Sequence, residues 1–296
     1  MKKTGPWYYI LNRGAAQLVP LDVAYRISEP ISDVVHAVWR SKRLAVVRNY
    51  ARISGRDEND PVVRRMSRQC FRQFGRYVVE LLHVQGWGQD TVEERLELRG
   101  EEHFVEAEAA GKGVIFVSAH MGSAEVAAAI AGQRGYRITS VAEELRPKLL
   151  WDWVQTCRAR MGVTLLPVTG SGIRLLRALR KKEMVAFVID AGVDRGGGVP
   201  VTFFGCDVVF PDGPARLARL SGAPLVFGMA VRMPGGRFTA YVAPPLYADR
   251  KLDADADARR LTQKIAQNLE GFVRRYPEQW YVFRRIWPED VAQARE

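Results

Sequence analysis

The chain has 296 residues, 47% hydrophobic and 26% charged, with a formal net charge of +11. That is enough apolar material for one large α/β domain, expected to run over residues 1–296, and the charge suits an anionic partner: phospholipid headgroups, nucleic acid or a phosphate-bearing group. No uncharged apolar run approaches the roughly 18–20 residues that span a bilayer, and no signal-peptide core follows Lys2 and Lys3, so the expected place is the cytosol or a membrane surface that is not crossed.

Residues 1–90 read as a helical segment. Trp7, Tyr8, Tyr9 and Ile10 sit beside Lys2, Lys3 and Arg13, and Leu18 to Trp39 continues the pattern, broken by Pro20 and Pro30. Aromatics beside basic residues suit a membrane interface; a helical hairpin packed on the main domain fits equally well. A basic helix is expected over 43–54. After a polar turn, a long helix over 62–82 carries Phe71, Phe74, Val78 and Leu81 on one face.

From Leu96 the pattern alternates. Strands are expected at 96–99, 114–118, 137–142, 163–168, 184–190, 223–232 and 237–243. Helices are expected near 101–110, 123–133, 147–161, 171–182, 213–221 and 254–276. This implies a mixed, mostly parallel central sheet flanked by helices, with one antiparallel edge set by the Pro234-Gly235-Gly236 turn. Cys70, Cys157 and Cys206 lack zinc-type spacing and read as buried apolar residues in a reduced compartment. No metal site is expected.

The stretch 113–125 concentrates the chemistry. An apolar β-branched run ends in His120, a glycine turn and Ser123, then a small-residue helix begins. A strand ending in a polar turn before a helix delivers side chains to the carboxyl edge of a sheet. There Glu125 can accept the Nδ1 proton of His120 and leave Nε2 as a base, although a His and a Glu near a strand end are most often an ordinary surface pair. The amides of Met121, Gly122 and Ser123 are candidate oxyanion donors; Ser118 and Ser123 read as structural.

Three further groups follow. Glu143 closes a strand and Arg158 lies on the next helix, so the two are expected to pair near His120 or, as the bland alternative, to lie apart on the surface. Asp190 ends a buried strand before a glycine-rich run at 192–198, either a ligand clamp or a mobile loop. That run has neither a P-loop nor a dinucleotide-binding fingerprint. Phe203 and Phe204 either wall an apolar pocket or pack in the core, and Arg216 shares a helix face with Arg219.

Taken in order, these segments resemble the bacterial lipid acyltransferases that include the lipid A lauroyl and myristoyl transferases and the phosphatidylinositol mannoside acyltransferases. The resemblance rests on His-x4-Glu after an apolar strand, Val-Ala-Glu at 141–143, Arg-x-Arg-x-Gly at 158–162 and the strand-end Asp190. It continues through Val201-Thr202-Phe203-Phe204-Gly205, the 217–223 segment and Tyr276-Pro277-Glu278-Gln279-Trp280. It implies a glycerol-3-phosphate-acyltransferase-like fold and a peripheral enzyme on the cytoplasmic face of the bacterial inner membrane. The reaction implied is fatty acyl transfer from an acyl thioester, on coenzyme A or acyl carrier protein, to a hydroxyl of a glycolipid or lysophospholipid. His120 and Glu125 are the implied catalytic pair. Glu143, Arg158, Asp190, Phe203, Phe204 and Arg216 are the expected substrate contacts, and no cofactor is needed beyond the acyl donor. Two features separate the branches: the spanning helix usual in lipid A acyltransferases is not seen, and Pro200 stands where the mannoside branch tends to carry an acid. The rivals are a thioesterase or lipid hydrolase on the same pair, and a nucleic-acid-binding protein, disfavoured because the arginines are dispersed and no binding motif is present.

Overall fold

The computed structural model describes residues 18–144, 146, 148–190, 197–288 and 290. The expectation for Trp7 to Arg13 lies outside them, as does most of the glycine-rich run after Asp190. The strands are β1 Leu96–Arg99, β2 Val114–Ser118, β3 Ile138–Ala142, β4 Val163–Pro167, β5 Met184–Val188, β6 Val199–Phe203, β7 Cys206–Phe210, β8 Leu225–Met233 and β9 Arg237–Val242. Seven form one sheet in the order β1-β9-β8-β2-β5-β3-β4. Strands β8, β2, β5, β3 and β4 are parallel. The Pro234–Gly236 turn sends β9 back antiparallel to β8, and β1 pairs parallel with β9. The sheet is thus mixed and mostly parallel, with a two-strand antiparallel margin.

The helices are α1 Leu21–Val38, α2 Arg40–Ser54, α3 Pro61–His83, α4 Gln89–Arg95, α5 Glu101–Ala109, α6 Ala124–Gln133, α7 Lys148–Ala159, α8 Gly172–Arg180, α9 Gly213–Ser221 and α10 Ala254–Arg275. Helix α10 buries Ala258, Leu261, Ile265, Leu269 and Val273, a stripe at helical spacing. With α8 and α9 it covers the sheet face formed by Ile115, Val117, Leu225 and Phe227. Helices α5 and α6 cover the opposite face, which presents Phe116, Ile138, Met184 and Ala240. Helix α1 is continuous through Pro30 instead of breaking there, because a proline on an outer turn removes one N–H without burying the orphaned carbonyl.

Helices α1 and α3 are tied to the sheet by a buried polar knot. Glu80 accepts from Tyr25 Oη at 2.5 Å and from Arg232 Nη2 at 2.9 Å, and all three residues are buried. The carboxy-terminal segment then crosses the carboxyl edge of the sheet. Asn49 Nδ2 donates to the carbonyls of Val282 and Arg284, and Tyr50 Oη donates to that of Trp280. Among the described residues, no helix is long and apolar enough to cross a membrane.

Strands β6 and β7 were not expected. They form a hairpin outside the main sheet, turned by Phe204 and Gly205, both at positive φ (51° and 73°). Gln263 of α10 holds Thr202 through both backbone groups at 2.8 and 2.9 Å.

Candidate active site

Two neighbouring parallel strands create the central pair. Ser118 of β2 stands opposite Val188 of β5, so His120 and Asp190, each two residues further on, emerge at the same level. His120 Nδ1 lies 2.8 Å from Asp190 Oδ1, and the His120 backbone N–H donates to both carboxylate oxygens at 2.9 and 3.0 Å. Trp280 Nε1 donates to Oδ2 at 2.8 Å. Asp190 is fully buried, whereas the His120 side chain is 48% exposed. Burial alone would raise the Asp190 carboxyl, but the His120 charge and the N–H groups of His120 and Trp280 outweigh it and hold the carboxyl below its ordinary value. When the imidazole is neutral, an ionised carboxylate at Nδ1 makes that nitrogen the donor and leaves Nε2 with its lone pair.

The expected His120–Glu125 pairing does not form. Glu125, in the first turn of α6, points inward and is 1% exposed. Its Oε1 accepts from Arg158 Nη2 at 2.8 Å, Arg158 Nε at 3.2 Å and Tyr77 Oη at 2.9 Å. Burial, then the Glu125 charge, push the Tyr77 phenol well above its usual range. Burial opposes the Arg158 charge, but Glu125 and Tyr77 more than restore it. Glu143 and Arg158 do not pair either. Helix α7 brings Arg158 against Glu125 of α6 and Tyr77 of α3, while Glu143 is largely exposed and pairs with Arg284 at 3.1 Å.

The turn after β2 is gripped from both sides. Tyr281 N–H donates to the His120 carbonyl at 2.8 Å, and Tyr281 Oη donates to the Gly122 carbonyl. Gly122, at φ 65°, packs so closely on β8 that a Cβ would meet the Ala230 carbonyl oxygen at 2.0 Å, so only glycine fits. The expected oxyanion donors are all engaged. Met121 N–H donates to the Ala119 carbonyl (2.7 Å), Gly122 N–H to that of Gln279 (3.0 Å) and Ser123 N–H to that of Ala230 (2.7 Å). The Ser123 hydroxyl caps α6.

Beside this edge lies an apolar cavity of about 160 Å³ between the sheet and α6. Ala124, Ala127, Ala128 and Ala131 face it. These positions recur at helical spacing, and their small side chains hold α6 off Phe116, Ile138 and Met184. Phe104 and Tyr136 line it further along; Ser118, Glu125 and Arg158 bring polar groups to its wall.

The other expected contacts fall elsewhere. Phe203 is fully buried against Phe210, Trp280 and Trp287, and Phe204 sits in the hairpin turn beneath Arg274. Hairpin alternation sends Phe203 into the core on the far side of the sheet from the cavity. Arg216 pairs with Asp212 and Asp255 on the surface of α9. Asp190 is too deeply buried to meet substrate and meets the imidazole instead. The sequence reading gave no role to Tyr77, Trp280 or Tyr281; only the quoted 276–280 motif pointed at Trp280. Among the described residues no cluster of three metal-type ligands occurs.

The family model for bacterial lipid A biosynthesis acyltransferases matches residues 1–289. A phosphatidylinositol mannoside acyltransferase of Mycolicibacterium smegmatis is 28% identical over 253 residues, covering 84% of this chain and 80% of that protein. Its namesake in Mycobacterium tuberculosis CDC 1551 is 29% identical over 231 residues, 75% of this chain and 70% of the relative. The lipid A biosynthesis lauroyltransferase of Escherichia coli K12 is 25% identical over 296 residues, 96% of this chain and 94% of that enzyme.

Proposed function

This chain belongs to the bacterial lipid A biosynthesis acyltransferase family, and from that premise we propose that it moves a fatty acyl group from an acyl thioester, on coenzyme A or acyl carrier protein, to a hydroxyl of a glycolipid of the phosphatidylinositol mannoside type. The observation that carries this reading is the His120–Asp190 pair, with His120 lying in the chain between Ser118 and Ala124, which both line an apolar cavity. The cavity suits a hydrocarbon chain, because its wall is almost wholly carbon and an apolar chain gains from leaving water.

In this mechanism His120 Nε2 takes the proton of the acceptor hydroxyl as its oxygen attacks the thioester carbonyl carbon. Asp190 fixes the tautomer and stabilises the imidazolium; it does so from a buried position reinforced by Trp280. The tetrahedral intermediate collapses by breaking the C–S bond, and the imidazolium returns its proton to the departing thiolate. The products are an ester and a free thiol. Glu125 belongs to the scaffold: it neutralises Arg158 and joins α6, α7 and α3 beneath the turn.

Membrane contact is assigned to α1. Val23, Ile27, Ile31, Val34 and Val38 recur at helical spacing on its outer side and are all exposed, as is Trp39. Arg26, Arg40, Lys42 and Arg43 flank them. An apolar stripe bordered by cations lies flat in an anionic bilayer surface. The relatives' acceptor class and the acyl donor come together in one assay. Purified protein with palmitoyl-coenzyme A and phosphatidylinositol mannoside in mixed micelles is expected to release thiol and form acylated lipid. His120→Ala should fold normally and lose about 100-fold or more in turnover. Parental turnover by folded His120→Ala would remove this mechanism.

A further inference from the structure

The fold leaves the developing oxyanion without the donors that a strand-turn-helix site usually supplies. The three N–H groups of Met121, Gly122 and Ser123 are each committed to a protein carbonyl. Arg158, another donor on the cavity wall, directs Nε and Nη2 at Glu125 and Tyr77. Ser118 differs. It is the last residue of β2, it lines the cavity, and its hydroxyl makes no hydrogen bond to a described residue.

Its position is also right for the reaction. Strand alternation puts residues two apart on one face, roughly 7 Å from each other. Ser118 closes β2 and His120 follows it by two residues, just beyond the strand, so the two stand within about that distance. An attacking oxygen, a carbonyl carbon and its oxygen, hydrogen-bonded at both ends, span about that length. A chain lying in the cavity would bring its thioester past Ser118 before reaching His120.

We propose that Ser118 is a catalytic residue: its hydroxyl donates to the thioester carbonyl oxygen and holds the oxyanion while His120 takes the acceptor proton. This rests on the acyltransfer reading above and adds to it the group that stabilises the charge. The acceptor O–C bond forms as the carbonyl π electrons move to oxygen; Ser118 keeps its proton throughout. When the intermediate collapses, the electrons return, the C–S bond breaks, and the thiolate leaves with the proton held by His120. Ser118 forms no covalent bond, consistent with the absence of any Ser118–His120 hydrogen bond to activate it as a nucleophile.

The test uses the full chain with palmitoyl-coenzyme A and phosphatidylinositol mannoside in mixed micelles. Ser118→Ala is expected to lower kcat by about 10²–10³, the scale for one lost oxyanion donor, at nearly unchanged KM for the thioester. Ser118→Thr, which keeps a hydroxyl on a residue suited to a strand, should restore most of the loss. A second measurement avoids turnover. Palmitoyl-coenzyme A labelled with ¹³C at the carbonyl is bound to His120→Ala protein, and the carbonyl stretch is read by difference infrared spectroscopy. Adding Ser118→Ala should move that band to higher frequency, because the carbonyl loses a donor. Near-parental turnover by Ser118→Ala, or an unmoved band, overturns the proposal. So does an acylated Ser118 in the mass spectrum of the parent protein, which would make the hydroxyl a nucleophile. Parent protein that transfers no acyl group from palmitoyl-coenzyme A or dodecanoyl acyl carrier protein overturns the acyltransfer reading itself, and this proposal with it.

Discussion

Exchanging each of the two carboxylates for its amide separates chemistry from scaffold. Asp190→Asn changes a fully buried group that accepts from the His120 N–H, His120 Nδ1 and Trp280 Nε1. The asparagine NH2 must face one of those donors or turn to Nδ1. In the second case Nδ1 becomes the acceptor and Nε2 carries the proton, which is the wrong tautomer for a base. The expected loss in turnover is about 10⁴-fold, or about 5.5 kcal/mol at 1.36 kcal/mol per tenfold. The stability cost is smaller, about 1–3 kcal/mol for an unsatisfied buried group. Glu125→Gln acts the other way. It leaves His120 and Asp190 untouched but removes the charge opposite Arg158, whose side chain is 23% exposed. Breaking a fully buried pair costs about 3–5 kcal/mol; partial exposure and the remaining amide oxygen reduce this to about 2–3 kcal/mol. The melting temperature should fall by about 3–5 °C, and turnover by less than about tenfold. Thiol release from palmitoyl-coenzyme A and thermal melts followed by circular dichroism read the two quantities. An active Asp190→Asn beside an inactive Glu125→Gln of normal melting temperature would refute the assignment and restore the pairing suggested by spacing.

Ala128→Phe should fill the cavity beneath α6 and shift preference from palmitoyl to shorter thioesters, at a stability cost of about 1–3 kcal/mol for overpacking; competition between donors in one reaction measures it. Ile27→Glu with Ile31→Glu should abolish sedimentation with anionic liposomes without changing the melting temperature, since both residues are exposed in the parent. Glu80→Gln should destabilise the protein by about 3–5 kcal/mol, because Arg232 is buried against it and would be left as an unpaired charge; urea unfolding reads this. Hydrogen bonds from Arg68 and then Arg72 hold the Asp33 carboxyl well below its ordinary value. Its contribution to holding α1 on α3 is therefore present above about pH 4 and lost as the pH falls through the depressed folded value. Melts of parent and Asp33→Asn should converge below about pH 4, with the parent more stable at neutral pH.

The local signals in the sequence determined most of the architecture. The β-branched run at 114–118, the alternation after Leu96 and the Pro234-Gly235-Gly236 turn each specify an element through the period of their own side chains, and those strands and helices appear where expected. The hairpin β6–β7 was legible too. Val199, Val201 and Phe203 alternate with exposed Pro200 and Thr202, but the paired phenylalanines drew a pocket reading. His120 at a strand's carboxyl end was equally local. What local pattern does not contain is the partner of that histidine. Glu125 is five residues away and looks like the answer. Asp190 is seventy residues away, and it meets His120 only because β5 pairs in parallel with β2 and matches Val188 to Ser118. The same holds for Trp280 on Asp190, Tyr281 on the turn after β2 and Arg158 on Glu125. Strand order and helix packing join residues distant in sequence, so the site's elements could be read from the chain, while its hydrogen bonds were decided by the tertiary fold alone.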